Sequence, residues 1–147
     1  MRGDEWSFPI KMTESESEKF SIINETRTSP AFFKKKAGLV SRIKDAVLGK
    51  NYALSIVIIS AEKSKKLNRD YRDKNKPTDI LSFPLSKKEG EIFLCLKQAE
   101  TEAEKFGREY ENFLLFLLIH GFCHLKGMTH SSKMESIERK FRNRFGV

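Results

Sequence analysis

All three histidines of the chain fall in one stretch, His120-Gly121-Phe122-Cys123-His124-Leu125-Lys126-Gly127-Met128-Thr129-His130. Residues four apart share a face of an α-helix, so His120 and His124 can aim their imidazoles at one point. Gly127 stands where a left-handed residue would close that helix, and the turn it permits sends His130 back toward the pair. Three neutral ring nitrogens leave the fourth position of a tetrahedral metal open, the arrangement of a catalytic zinc and not a structural one. A metal so held lowers the pKa of its water and polarises a bound oxygen, which suits phosphodiester cleavage as well as acyl transfer. The H-x-x-x-H-x-x-x-x-x-H spacing is shared with metzincin peptidases, but those carry a Glu general base directly after the first His. Here that position is Gly121, so peptide hydrolysis falls well down the list. A lone histidine would read as a core residue bonded to a backbone carbonyl; three at this spacing read as a metal site.

The elements around this stretch must hold it. Phe113-Leu114-Leu115-Phe116-Leu117-Leu118-Ile119 is apolar all the way round a helix, so a helix from about Tyr110 to Lys126 is buried on nearly every side. Upstream, Phe20 to Asn24 can open a strand, and Ser29-Pro30 reads as an N-cap and first-turn proline for a helix running to about Leu48. Ala53 to Ile59, rich in β-branched residues, is a buried strand, and Ser60 caps a helix from Ala61 to about Arg72. Ile80 to Phe83 and Glu91 to Leu96, joined by the polar turn Ser86 to Gly90, form a hairpin or sheet edge. A charged helix from Lys97 to Phe106 is closed by Gly107, and Ser131 to Phe145 makes a last basic amphipathic helix. The sum is an α+β single domain with a mixed sheet of about four strands packed by helices, the buried one carrying the histidines. Residues 1–19 are expected to be a flexible extension of a domain spanning 20–147.

The chain's 147 residues suffice for one ordinary core, and Cys95 and Cys123 lack any C-x-x-C spacing, so a reducing, cytoplasmic setting is expected. Cys123 falls on the helix flank away from the histidine pair and reads as a small core residue. The longest apolar run is too short to span a bilayer, and the N-terminus has no signal-peptide pattern. Net charge is +8, but residues 31–76 hold 13 Lys or Arg against four acidic residues, a local +9. A polyanion is the obvious partner, nucleic acid first. Arg72, at the end of a basic helix and just before a loop, offers a bidentate fork for phosphate.

Leu67-Asn68-Arg69-Asp70-Tyr71-Arg72, then Pro77-Thr78-Asp79-Ile80-Leu81-Ser82-Phe83-Pro84, then Gly90-Glu91-Ile92, then His120-Gly121-x-x-His124-Leu125-x-Gly127-x-x-His130, resemble in order the bacterial YbeY endoribonuclease family. The resemblance covers about Phe20 to Arg142. It implies a single-strand-specific, metal-dependent endoribonuclease acting in rRNA maturation, at the 3′ end of 16S rRNA, and in ribosome quality control. One Zn2+ per chain would be held by His120, His124 and His130. Arg72, Lys74 and Lys76 would meet the RNA, and the partners would be ribosomal RNA and the small subunit with its proteins, with neither DNA nor membrane. Asp79 reads as a carboxylate that bonds nearby backbone amides or orients a metal-ligand histidine. Where the family usually has Tyr-Asp before the third histidine, this chain has Met128-Thr129; Met134 and Glu138 keep an M-x-x-x-E spacing often seen there. Two other readings are a non-catalytic RNA- or ribosome-binding module with a structural metal, for which Cys123 or Asp79 would be the fourth ligand, and a metal-dependent hydrolase of a small or peptide substrate.

Overall fold

The computed structural model describes residues 10–11 and 19–147; residues 1–9 and 12–18, most of the expected extension, lie outside the described residues. In order, the elements are β1 (Ile10–Lys11), β2 (Phe20–Asn24), α1 (Ala31–Leu48), β3 (Ala53–Ile58), α2 (Ala61–Arg72), β4 (Ile80–Ser86), β5 (Glu89–Leu94), α3 (Leu96–Lys105), α4 (Tyr110–Leu125) and α5 (Ser132–Phe145). The strands pair in the order β1-β2-β3-β5-β4. β2, β3 and β5 run parallel, while β1 and β4 pair antiparallel at the two edges, so the sheet is mixed. Parallel neighbours need long returns, and α1 supplies the one between β2 and β3.

Alternation along the strands decides which sheet face is covered. Ile22, Ile56 and Ile92 form one row across β2, β3 and β5, continued by Ser82 on β4. All three isoleucines are fully buried beneath the helices. The main core joins this face to α1, α3, α4 and α5. On the opposite face α2 rests on a smaller cluster, in which Ala61 and Leu67 pack with Val57, Ile59, Phe93 and Cys95.

Gly121 lets α4 lie this close to the sheet. A Cβ there would meet Ile80 Cδ1 and Ser82 Oγ at 3.0 Å and Ile92 Cδ1 at 3.1 Å, so the residue following the first histidine is fixed by packing.

The start of α1 corrects one expectation. The N-cap is Pro30 and not Ser29: at φ −89° and ψ 42° Pro30 is still outside the helix, and its carbonyl accepts the Lys34 amide at 3.1 Å. No side chain caps this end. The hairpin turn is also tighter than expected, because β4 and β5 pair as far as Ser86 and Glu89. No helix among the described residues is long and apolar enough to cross a membrane.

The basic segment 31–76 does not present one charged face. Lys44 is buried at 1% exposure, with its ammonium on Asp45 at 3.2 Å and on the Lys50 carbonyl at 3.4 Å. Lys35 pairs with Glu111 and Lys63 with Glu25, so part of the local excess is neutralised by charges from elsewhere in the chain.

Candidate metal centre

The last turn of α4 and the loop after it build the centre. α4 stops at Leu125, and Gly127, at φ 100°, reverses the chain so that the Met128 amide bonds back to the Cys123 carbonyl at 3.2 Å. That reversal brings the Met128 carbonyl within 3.1 Å of His124 Nδ1 and returns His130 to the pair. The His130 ring centroid lies 5.3 Å from that of His120 and 4.8 Å from that of His124. One nitrogen from each of the three rings falls within 4.8 Å of the others.

The outer nitrogens settle the tautomers. A carbonyl oxygen only accepts, so His124 Nδ1 carries the proton that bonds to Met128 and its Nε2 is bare. His120 Nδ1 lies 3.0 Å from the buried carboxylate of Glu138 and donates to it, so in the neutral ring, the form that can ligate a metal, Nε2 is bare as well. These two Nε2 atoms stand 3.1 Å apart. Two lone pairs facing each other at that distance need something positive between them. Two nitrogens sharing a tetrahedral zinc at about 2.05 Å stand about 3.3 Å apart, so the residues fit a metal ion. Burial first, and then the neighbouring His120 and His130, push the His124 pKa below its usual value, which keeps the ring neutral and able to ligate.

Glu138 is the residue that sequence reasoning came nearest without giving it a role. It sits on α5, where Ser131 caps the helix by accepting the Met134 amide at 3.1 Å, and Met134 and Glu138 are the two buried residues of that helix. Arg142, one turn on, lies 3.8 Å from the same carboxylate. The M-x-x-x-E spacing was visible, but its partner 18 residues upstream was not. Replacing Glu138 with Gln keeps an acceptor and removes the charge, so zinc affinity is expected to fall about 10-fold, and about 100-fold for Glu138→Ala. Competition against a fluorescent chelator measures this; equal affinity in all three proteins would mean that the carboxylate does not tune the site.

Two cavities meet at the histidines. One, of about 280 Å³, is lined by the three histidines with Arg72, Asp79 and Phe106 among others. The second, of about 400 Å³, is lined by His120 and His130 with Glu138 and Arg142 among others. Phe116, His120 and His130 border both, so a groove runs past the centre on either side. Phe116 itself is overlaid by the guanidinium of Arg108 at 4.4 Å, with that of Arg142 at 5.1 Å from its ring centroid.

Arg72 reaches this groove because α2 and the loop after it are tied together. Ser64 Oγ donates to the Thr78 carbonyl at 2.6 Å and accepts the Thr78 amide at 2.8 Å, and Asn68 Nδ2 donates to the Lys76 carbonyl at 2.8 Å. Both side chains are buried, and the i, i+4 polar pair in a basic helix was the signal that could have marked them. Lys74 and Lys76 are exposed in this loop and are not among the residues lining either cavity. The Asp79 carboxylate accepts from the backbone amides of Ile80 and of Asp79 itself, and burial pushes its pKa up. The carboxylate that meets His120 is that of Glu138. Cys123 is fully buried in the core, and burial pushes its thiol up to about 11, so it is neutral there.

A three-histidine cluster able to hold a metal ion, beside an arginine-bordered cavity and carried by an α+β frame, defines the class of the site. The family model described as endoribonuclease YbeY matches residues 8–146, and the chain belongs to that family. Among curated relatives, endoribonuclease YbeY of Phytoplasma australiense is 37% identical over 106 residues, 66% of this chain and 70% of that protein. Its counterpart in Staphylococcus carnosus is 35% identical over 97 residues, 58% of this chain and 63% of the relative, so that match spans less than two thirds of the relative's length. A solution structure from Thermotoga maritima superposes with a TM-score of 0.62 at 26% identity, covering 86% of this chain and 88% of the other.

Proposed function

We propose that the chain is a zinc-dependent, single-strand-specific endoribonuclease. It acts in the cytoplasm on ribosomal RNA of the small subunit, in 3′-end maturation of 16S rRNA and in quality control. Family membership supports RNA as the substrate class. The observation that carries the reading is the pair of cavities meeting at the histidines: a strand that enters beside Arg72 has a path out beside Arg142, as internal cleavage requires. Cations on both sides suit a phosphate backbone.

His120, His124 and His130 would hold the metal, which supplies a Lewis acid at the scissile phosphate. The protein's own contribution is positional. Glu138 and the Met128 carbonyl hold two rings in the tautomer that turns Nε2 toward the shared point. Among the described residues Arg72 has no ion-pair partner, while its neighbour Arg69 lies 3.4 Å from Asp70. Its guanidinium is thus free to grip a phosphate oxygen and to stabilise the charge that builds on phosphorus. Lys74 and Lys76, further out on the same loop, add cations for flanking phosphates. Asp79 holds the start of β4 beside the centre by taking two backbone amides.

The test is cleavage of a labelled single-stranded RNA by protein stripped of metal and reloaded with zinc, beside an identically purified His124→Ala variant. Cutting that requires zinc, spares a duplex of the same sequence and disappears in the variant is the expected result. Equal cutting by both proteins would assign the activity to a contaminant and leave a non-catalytic binding role. A 2′,3′-cyclic phosphate on the product would identify the substrate's own 2′-hydroxyl as the attacking group; its absence would point to water.

A further inference from the structure

Phe106 is an anomaly in a well-packed chain. It is 68% exposed although it belongs to one of the most strongly apolar residue types, and it lines the same cavity as the three histidines and Arg72. The other two large exposed apolar side chains among the described residues, Tyr71 and Leu85, do not line that cavity. Nor is Phe106 a frayed end. It is the C-cap of α3, its amide bonded to the Glu102 carbonyl at 3.0 Å, and the Arg108 amide closes the turn on the Ala103 carbonyl at 3.0 Å.

Its ring is one step of a ladder. Phe106 stacks on the buried Phe113 with centroids 5.7 Å apart and planes inclined by 21°, and Phe113 stacks on Phe116 at 5.8 Å and 15°. At the far end, Arg108 covers Phe116. Three nearly parallel rings thus run beside the groove, one end closed by a cation and the other exposed. A rigid aromatic ring backed by another, set beside cations in an open groove, is the arrangement on which single-stranded nucleic acid stacks a base. One exposed ring is too small an area to hold a protein partner.

The geometry points to Phe106 as a nucleobase platform, which seats one unpaired base next to the phosphate held at the histidine centre. This inference rests on the ribonuclease reading above and extends it with a positioning residue. A base inside a duplex is already stacked and must be turned out before it can reach such a ring, so the platform supplies a physical reason for single-strand preference.

The experiment compares zinc-loaded wild type, Phe106→Ala and Phe106→Trp on a single-stranded RNA with one cut site and on a set in which each nucleotide flanking that site is abasic in turn. At one position the wild type should lose about 5- to 150-fold in kcat/KM when the base is removed, the range that one stacked base supports. Phe106→Ala should show that loss on the intact RNA and no further loss on the abasic one, with unchanged zinc content and melting temperature. Phe106→Trp should restore discrimination. Its introduced indole should also be quenched in stopped flow as RNA binds, against the background of the parent's single tryptophan, Trp6.

Equal discrimination by wild type and Phe106→Ala, or an indole unmoved by RNA, overturns the platform. If no protein cuts RNA in a zinc-dependent way, the ribonuclease reading fails instead. The quench still decides whether a base stacks at this position.

Discussion

Cleavage by Arg72→Ala is expected to fall about 10²- to 10³-fold in kcat, with zinc content unchanged. The two halves of that result follow from where Arg72 stands. It closes α2 on one sheet face, whereas the histidines sit on α4 and the loop beyond it, and Arg72 contacts neither Glu138 nor the Met128 carbonyl that fix the rings. Removing it leaves the three histidines in place and takes away the one guanidinium that lines their cavity, the group proposed to grip the reacting phosphate. Arg72→Lys should recover only part of the loss, because an ammonium offers a point charge where the guanidinium offers a planar fork. Rapid-quench kinetics on a single-site RNA, with zinc measured by mass spectrometry on the same samples, reads both halves. Unchanged cleavage would remove Arg72 from the chemistry. Lost zinc would turn it into a structural residue.

Gly121→Glu is expected not to fold. It recreates the H-E-x-x-H pattern of a metallopeptidase, yet the added side chain would start within about 3 Å of Ile80, Ser82 and Ile92. A carboxylate buried there without a partner costs several kcal/mol on top of the steric strain, against a typical total stability of about 5–15 kcal/mol. Gly121→Ala is the graded case. Overpacking of about 1–3 kcal/mol is offset by the roughly 1 kcal/mol that alanine gains over glycine in a helix, so the variant should fold with a lowered melting temperature. Because α4 would have to ride outward, its zinc affinity should fall too. Thermal unfolding of apo and zinc-loaded protein measures both effects. A Gly121→Glu protein as stable as wild type would show that α4 does not need this close approach, and would reopen peptide hydrolysis.

Helix ends were legible in the sequence where a side chain marks them. Ser60 caps as expected, accepting the Lys63 amide at 3.1 Å, whereas Ser131, read as the first residue of the last helix, proves to be its cap and accepts the Met134 amide at 3.1 Å. Pro30 was not, because a proline cap has no side-chain acceptor to announce it. The β4–β5 hairpin is local and could be read. The parallel pairing of β2, β3 and β5 joins segments dozens of residues apart, and nothing in any one strand names its neighbour. The three-histidine cluster was legible because all three residues lie within one short stretch. What holds them was not: Glu138 comes from another helix and Met128 acts through its backbone, which leaves no mark in a sequence. Ser64 and Asn68 were hidden in a helix whose charge made it look wholly solvated. Phe106 was read only as the end of a helix.

The two faces of the sheet do not resist opening equally. The histidines hang from the main core, while Arg72 rides on a helix secured by a handful of apolar side chains and by the three bonds from Ser64 and Asn68. Local stability follows buried apolar contact, so α2 and its loop form the weaker cooperative unit. The groove therefore has one fixed jaw and one compliant jaw. On the proposed ribonuclease reading, a single strand would be admitted by displacement of the Arg72 side alone, without disturbing the geometry of the histidines.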